Sequence, residues 1–196
     1  ILNRPRVFLD SPMAIRAAEV SARHVEAFDL EALSLLHHPP KNPRAPTVTF
    51  VESAAQSRSL ARLSGVIILA GSGMCEGGRI QTHLLRHLDN PNSCVIFTGY
   101  QVDGTLGRRL IDGAPEVRIL GTTIPVRAKL CTINGLSAHA DQAGLLDWVS
   151  HFKEPKPRTF LVHGEPPKMQ ILTDVLQQRF GITATMPEYR DLITLD

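Results

Sequence analysis

The chain has little of what would place it in the simplest structural classes. Its three cysteines, Cys75, Cys94 and Cys131, lie far apart without paired metal-type spacing, which argues against a disulfide framework and a Cys-rich zinc site and favours a reducing, cytoplasmic setting. The longest apolar run, around Val66 to Ala70, is far short of the roughly 20 residues a spanning helix needs, so no membrane segment is expected. Charge of one sign is also scarce: 21 Lys and Arg stand against 19 Asp and Glu, a formal net of +2. A chain of this balance does not hold nucleic acid by bulk charge, and any phosphate binding must come from local groups. Low-complexity tracts and internal repeats are absent, and no initiator Met or signal peptide precedes Ile1-Leu2-Asn3-Arg4-Pro5, which reads as the later part of a longer protein.

What is present is an ordinary globular composition. With 196 residues, 43% of them apolar, the chain is long enough for one large domain or one and a half ordinary ones, each with a real core. Strand-like runs alternate with segments of helical period, the pattern of an α/β protein with a largely parallel sheet. Strands are expected at 7–9, 47–51, 66–69, 95–97 and 117–120. Helices are expected from Pro12 to about Phe28 and over 53–63, 78–88 and 104–111. The proline-rich segment from His37 to Pro46 reads as an exposed loop. From about residue 123 the pattern changes to a strand over 126–133, a small-residue loop over 135–140, a helix over 141–152, a strand over 159–162, a long helix over 167–180 and closing strands near Thr183 and Leu192.

In open α/β sheets ligands gather beyond the carboxyl ends of the strands, where helix N-termini offer free N–H groups. The turn at Gly71-Ser72-Gly73, with Gly77, Gly78 and Arg79, falls at such an edge. It reads either as an anion cradle built on Ser72, Gly73 and Arg79 or as a tight turn that needs glycine for its backbone. Among the eight histidines, His24, His37, His38 and His151 read as solvated surface. His83 and His87 are spaced i, i+4 but lack the Glu of a His-Glu-x-x-His motif, and read as helix-face residues with His83 the one turned toward a site. His139 sits in Ser137-Ala138-His139-Ala140-Asp141, just before a helix capped by Asp141, where an imidazolium suits a general acid. His163 is projected from the end of Phe160-Leu161-Val162 beside Gly164, a placement that suits a metal ligand. On spacing alone, a plain surface role stays open for both.

Taken together, Phe8-Leu9-Asp10-Ser11-Pro12-Met13-Ala14, Gly71-Ser72-Gly73-Met74 with Gly77-Gly78-Arg79-Ile80, the run from Gly99 to Leu110, Ser137-Ala138-His139-Ala140-Asp141 and Val162-His163-Gly164-Glu165 resemble the β-CASP branch of the metallo-β-lactamase-fold hydrolases. The resemblance covers nearly the whole chain. It implies a parallel-sheet β-CASP domain over 1–122, followed over 123–196 by the returning C-terminal segment of an αββα metallo-β-lactamase domain. It further implies a ribonuclease that hydrolyses phosphodiester bonds of single-stranded RNA with hydroxide bound to two Zn²⁺.

In that scheme His163 is one metal ligand and His139 protonates the leaving oxygen, while Ser72, Gly73, Arg79 and Ser137 hold phosphates. The His-x-His-x-Asp-His motif and the other ligands expected of the family are absent from this sequence. The chain alone, retaining one expected ligand, is therefore expected to be inactive, and to associate with its missing N-terminal half or as a homodimer. A catalytically silent RNA-binding scaffold and a DNA-acting relative are the alternative readings. Common to all the catalytic assignments is that the imidazoles at 139 and 163 share a cleft with the glycine turn at 71–73.

Overall fold

A computed structural model describes residues 5–37, 47–137 and 139–195. The chain divides into two compact units, one running to Leu136 and one from Ser137.

The first unit is built from β1 (Arg6–Leu9), α1 (Pro12–Arg23), α2 (Leu30–His37), β2 (Val48–Phe50), α3 (Ala54–Ser59), β3 (Val66–Leu69), α4 (Arg79–His87), β4 (Cys94–Phe97), α5 (Leu106–Ile111), β5 (Glu116–Ile119), β6 (Thr122–Pro125) and β7 (Lys129–Thr132). β1 lies between β2 and β3 in an all-parallel sheet, with Val7 opposite both Val48 and Ile67. β4 and β7 form a second parallel pair. The α/β class read from the alternation is the observed one, and among the described residues only β5 and β6 run antiparallel, joined by Leu120 and Gly121, both at positive φ as a tight hairpin requires. One core gathers Leu84, Leu88, Phe97, Leu106, Leu110, Val117, Ile119 and Ile124; a smaller one forms around Phe8, Val51 and Leu60.

Local chemistry explains where the elements begin. Ser11 caps α1, accepting the Ala14 N–H at 3.3 Å, with Pro12 in the first turn where its missing N–H does no harm. Ser53 and Gln56 form a capping box at the start of α3. The long helix expected to reach Phe28 instead ends at Arg23: the His24 N–H turns back to the Ser21 carbonyl at 3.0 Å, a short turn over 25–27 follows, and Asp29, accepting the Ala32 N–H at 2.7 Å, starts α2 as a separate helix. The single strand expected over 126–133 is likewise broken: the N–H groups of Arg127 and Ala128 both donate to the Leu88 carbonyl at 2.8 Å, and only from Lys129 does the chain pair with β4. β6 and β7 belong by their pairing to this unit. Apart from His37 at the end of α2, the expected loop over 37–46 lies outside the described residues, and His38 with it.

The second unit contains α6 (Gln142–Ser150), β8 (Thr159–Phe160), α7 (Pro166–Phe180) and β9 (Ala184–Thr185), with β8 and β9 parallel. Its core is Leu146, Val149, Leu176, Ile182 and Ala184. α7 stops at Gly181, whose left-handed backbone lets its N–H reach the Gln177 carbonyl at 3.1 Å. The closing strand expected near Leu192 is not formed; the Glu188 N–H bonds Asp191 Oδ2 at 2.8 Å and turns the chain there.

Candidate functional site

The residues singled out in the sequence fall into two groups, one in each unit. In the first unit, the glycine turn leads from β3 into α4 and is closed by its own backbone. The Ser72 N–H donates to Gly77 O, the Cys75 N–H to Ser72 O and the Ile80 N–H to Gly71 O, each at 3.2 Å. Gly78 has φ of 73°, and a Cβ there would sit 2.7 Å from the Gly71 carbonyl oxygen, so both conformation and close approach demand glycine. Ser72 and Gly73 are exposed at the turn's outer surface, and a Cβ at Gly73 would meet nothing within 4 Å. Among the described residues the Ser72 hydroxyl and the Gly73 N–H make no hydrogen bond.

Arg79 is turned inward. Its Nη1 donates to Asp10 Oδ1 at 2.5 Å and to Val51 O at 2.7 Å, and its Nη2 to Glu52 O at 3.0 Å. Asp10, at the end of β1, is completely buried and also accepts from Ser57 Oγ and His83 Nε2, both at 2.6 Å. A buried carboxylate is tolerable only when so satisfied. Burial by itself raises the Asp10 pKa, but the hydrogen bonds from Ser57, His83 and Arg79, with the Arg79 charge, together hold it below its ordinary value. Asp10 thereby ties β1, α3 and α4 together, which its place in the Phe8–Ala14 run does not announce. His83, the histidine of α4 expected to face a site, is buried and turned toward Asp10.

Beside the turn lies a cavity of ≈ 180 Å³ whose walls include Ser72, Gly73, Met74, Phe97, Tyr100 and Gln101. Buried Gln101 donates from Nε2 to the carbonyls of Gly99 and Tyr100 at 3.1 and 3.2 Å, which holds the turn after β4. Its Oε1 has no partner among the described residues and lies against Gly107, where a Cβ would sit 1.7 Å from it. Cys75 also lines the cavity, and burial with the Glu76 charge pushes its thiol up to about 11, so it stays protonated and unreactive at neutral pH.

In the second unit the His139 N–H donates to Ser137 Oγ at 3.2 Å, and Asp141 caps α6 through the Gly144 N–H at 2.8 Å. Both Ser137 and His139 are exposed. His163 is exposed too, and holds φ of 63°, a left-handed backbone uncommon outside glycine. Gly164 follows it because a Cβ there would lie 2.5 Å from Met169 Cγ. Neither imidazole has a hydrogen-bonding or ionic partner among the described residues. A wider open cavity of ≈ 550 Å³ lies in this unit, with Arg158, Phe160, Thr185 and Asp191 in its walls, but neither histidine lines it.

Two family models match the chain: a Beta-Casp domain over residues 2–110 and a Zn-dependent metallo-hydrolase RNA specificity domain over 123–187. The chain belongs to the β-CASP family. A ribonuclease of Thermus thermophilus is 42% identical over 180 residues, covering 91% of this chain and 41% of that protein. A transcription termination factor FttA of Methanocaldococcus jannaschii is 30% identical over 98% of this chain and 31% of its own length. An RNase J-like protein of the same organism is 41% identical over 50% of this chain and 23% of its own. The chain thus spans well under half the length of these β-CASP relatives.

The metallo-hydrolase relationship implies zinc. Among the described residues no three His, Cys, Asp or Glu side chains gather to hold a metal, whereas zinc takes four ligands. These residues alone do not fit the ion. No helix among the described residues is long and apolar enough to cross a membrane.

Proposed function

We propose that this chain supplies the phosphate-gripping and proton-donating part of a cytoplasmic, zinc-dependent ribonuclease acting on single-stranded RNA. The observation that carries the reading is the pair of exposed imidazoles, each placed at the entrance to a helix and without a partner among the described residues, where Asp10, Arg79 and His83 are bonded inward. A side chain that donates to or receives from a substrate must be left free in the empty protein, and His139 and His163 are.

In this reading His139 acts as general acid, giving its proton to the departing alkoxide, a contribution of about 10²- to 10⁴-fold. Ser137, which accepts the His139 N–H, places its hydroxyl proton toward a non-bridging phosphate oxygen. Ser72 and Gly73 offer a hydroxyl and an N–H to an adjacent phosphate. Arg79 serves that subsite by anchoring the turn from inside. His163 is one ligand of a metal whose remaining ligands come from the longer protein, in which the family's two Zn²⁺ are bound. The chain alone is accordingly inactive, and partners either with the rest of that protein or with a second copy.

The test is RNA cleavage and metal content of the longer protein with each histidine changed in turn. His139→Ala keeps its metal and loses rate, while His163→Ala loses metal. Full rate in both variants would overturn the roles given to the two histidines, no cleavage by the unchanged longer protein would show a scaffold rather than an enzyme, and equal cleavage of matched RNA and DNA strands would show a nuclease without RNA preference. Zinc-dependent cleavage by the 196-residue chain itself, checked by mass spectrometry for longer contaminants, would contradict the expected inactivity.

A further inference from the structure

The two cysteines with access to solvent are brought together by strand register. β4 and β7 run parallel with Cys94 opposite Lys129 and Ile96 opposite Cys131. Cys94 and Cys131 are therefore diagonal neighbours on one face of the pair, since alternate residues of a strand share a face. Their sulfurs lie 3.9 Å apart. Cys94 is exposed and Cys131 half-buried, so the pair is open to small solutes. The third cysteine, Cys75, is buried elsewhere in the unit and lies in neither strand.

This spacing suits one kind of chemistry better than another. A disulfide needs sulfurs at about 2.05 Å and α-carbons about 5.5–6 Å apart. Diagonal positions on neighbouring strands have α-carbons roughly 8 Å apart, from a strand separation of about 4.8 Å and a two-residue rise of about 6.6 Å. Closing a disulfide thus requires the strands to slide. A tetrahedral ion with metal–sulfur bonds of about 2.3 Å holds two thiolates about 3.8 Å apart, which the strands already provide. We propose that Cys94 and Cys131 form a bidentate site for a thiophilic divalent cation, clamping β4 to β7, with the remaining coordination positions filled by water or a small thiol. This site is independent of the two histidines and of the reaction proposed for them.

A metal ion removes the proton itself: one divalent ion and two thiols give one dithiolate complex and two protons, with no electron transferred. The two strands so joined lead onward to the Gly99–Gln101 turn and to the segment before Ser137.

The experiment titrates Cd²⁺ alone into the fully reduced chain and follows ultraviolet thiolate-to-cadmium charge transfer together with proton release. The expected result is one Cd²⁺ bound with two protons released. The band is lost in Cys94→Ser and in Cys131→Ser, and is unchanged in Cys75→Ser and His163→Ala. Since Cys94 and Cys131 lie outside the buried cores, circular dichroism of both variants should match the parent. Persistence of the band in either single variant overturns the site. So does its absence in the reduced parent, or capture of the two thiols as a disulfide in place of metal binding.

Discussion

The glycine turn with Asp10 behind it and the two histidine loops treat polar groups in opposite ways. In the first unit the chemistry points inward: Asp10 accepts from Ser57, Arg79 and His83, and even the guanidinium expected to face a phosphate is occupied by the interior. In the second unit the imidazoles of His139 and His163 face solvent without a partner among the described residues. Groups that hold a fold together must be satisfied in the resting protein, and groups that act on a ligand must not be. Histidine thus serves structure in the first unit, at His83, and in the second stands unbonded among the described residues, as the roles proposed for His139 and His163 require.

The sharpest way to break this contrast is to remove its buried centre. Asp10→Ala leaves Arg79 and His83 facing an empty interior, and should cost about 3–5 kcal/mol in urea unfolding. His139→Ala and His163→Ala, at exposed positions, should stay within about 0.5 kcal/mol of the parent while abolishing most cleavage in the longer protein. Equal stability losses for Asp10 and the histidines would erase the distinction.

The glycine turn offers a second comparison within one loop. Gly78→Ala forces a side chain into a left-handed backbone and against the Gly71 carbonyl, and should cost about 1–3 kcal/mol in thermal or denaturant unfolding. Gly73→Ala meets open space and should be close to neutral for stability. Its effect should appear instead in the binding of a short RNA to the longer protein, if the exposed arm of the turn seats a phosphate.

Much of this was legible in the sequence because it is local. Ser11-Pro12, the alternation of strand and helix, Gly78 before α4 and Asp141 before α6 each declare themselves within a few residues. The loop positions of His139 and His163 were legible for the same reason, since each stands beside small residues ahead of a helix, while their proposed roles rest on the resemblance. What the sequence hides is long-range. Asp10 meets Ser57, Arg79 and His83 across separations of 47, 69 and 73 residues, and nothing near Asp10 announces those partners. Cys94 and Cys131 are 37 residues apart and meet only through the register of a parallel pair. The break between β6 and β7 was hidden likewise, since it depends on the Leu88 carbonyl capturing two N–H groups from a distant segment.

The smallest expected effect, and the one that refines the contrast most, is the acid response of α4. Burial, with the charges of His83 and Arg86, lowers the His87 pKa below its ordinary value of 6.5, and its Nε2 has no partner among the described residues. In the unfolded chain this ring takes up a proton near pH 6.5, while in the folded chain it resists until lower pH. Between those two values the unfolded state binds more protons, so stability declines as the pH falls through that window and levels off below the folded value. Asp10 acts lower down. Its carboxyl is held under 3.8, so its contribution is whole above that pH and is lost as the pH falls through the folded value. Acid unfolding of the first unit should therefore show two windows of declining stability, one below pH 6.5 from His87 and one below 3.8 from Asp10. His87→Leu should flatten the upper slope and leave the lower in place, as read from urea midpoints measured across the two windows. An upper slope unchanged in His87→Leu would assign the response to another group, and would leave Asp10 as the unit's acid-sensitive anchor.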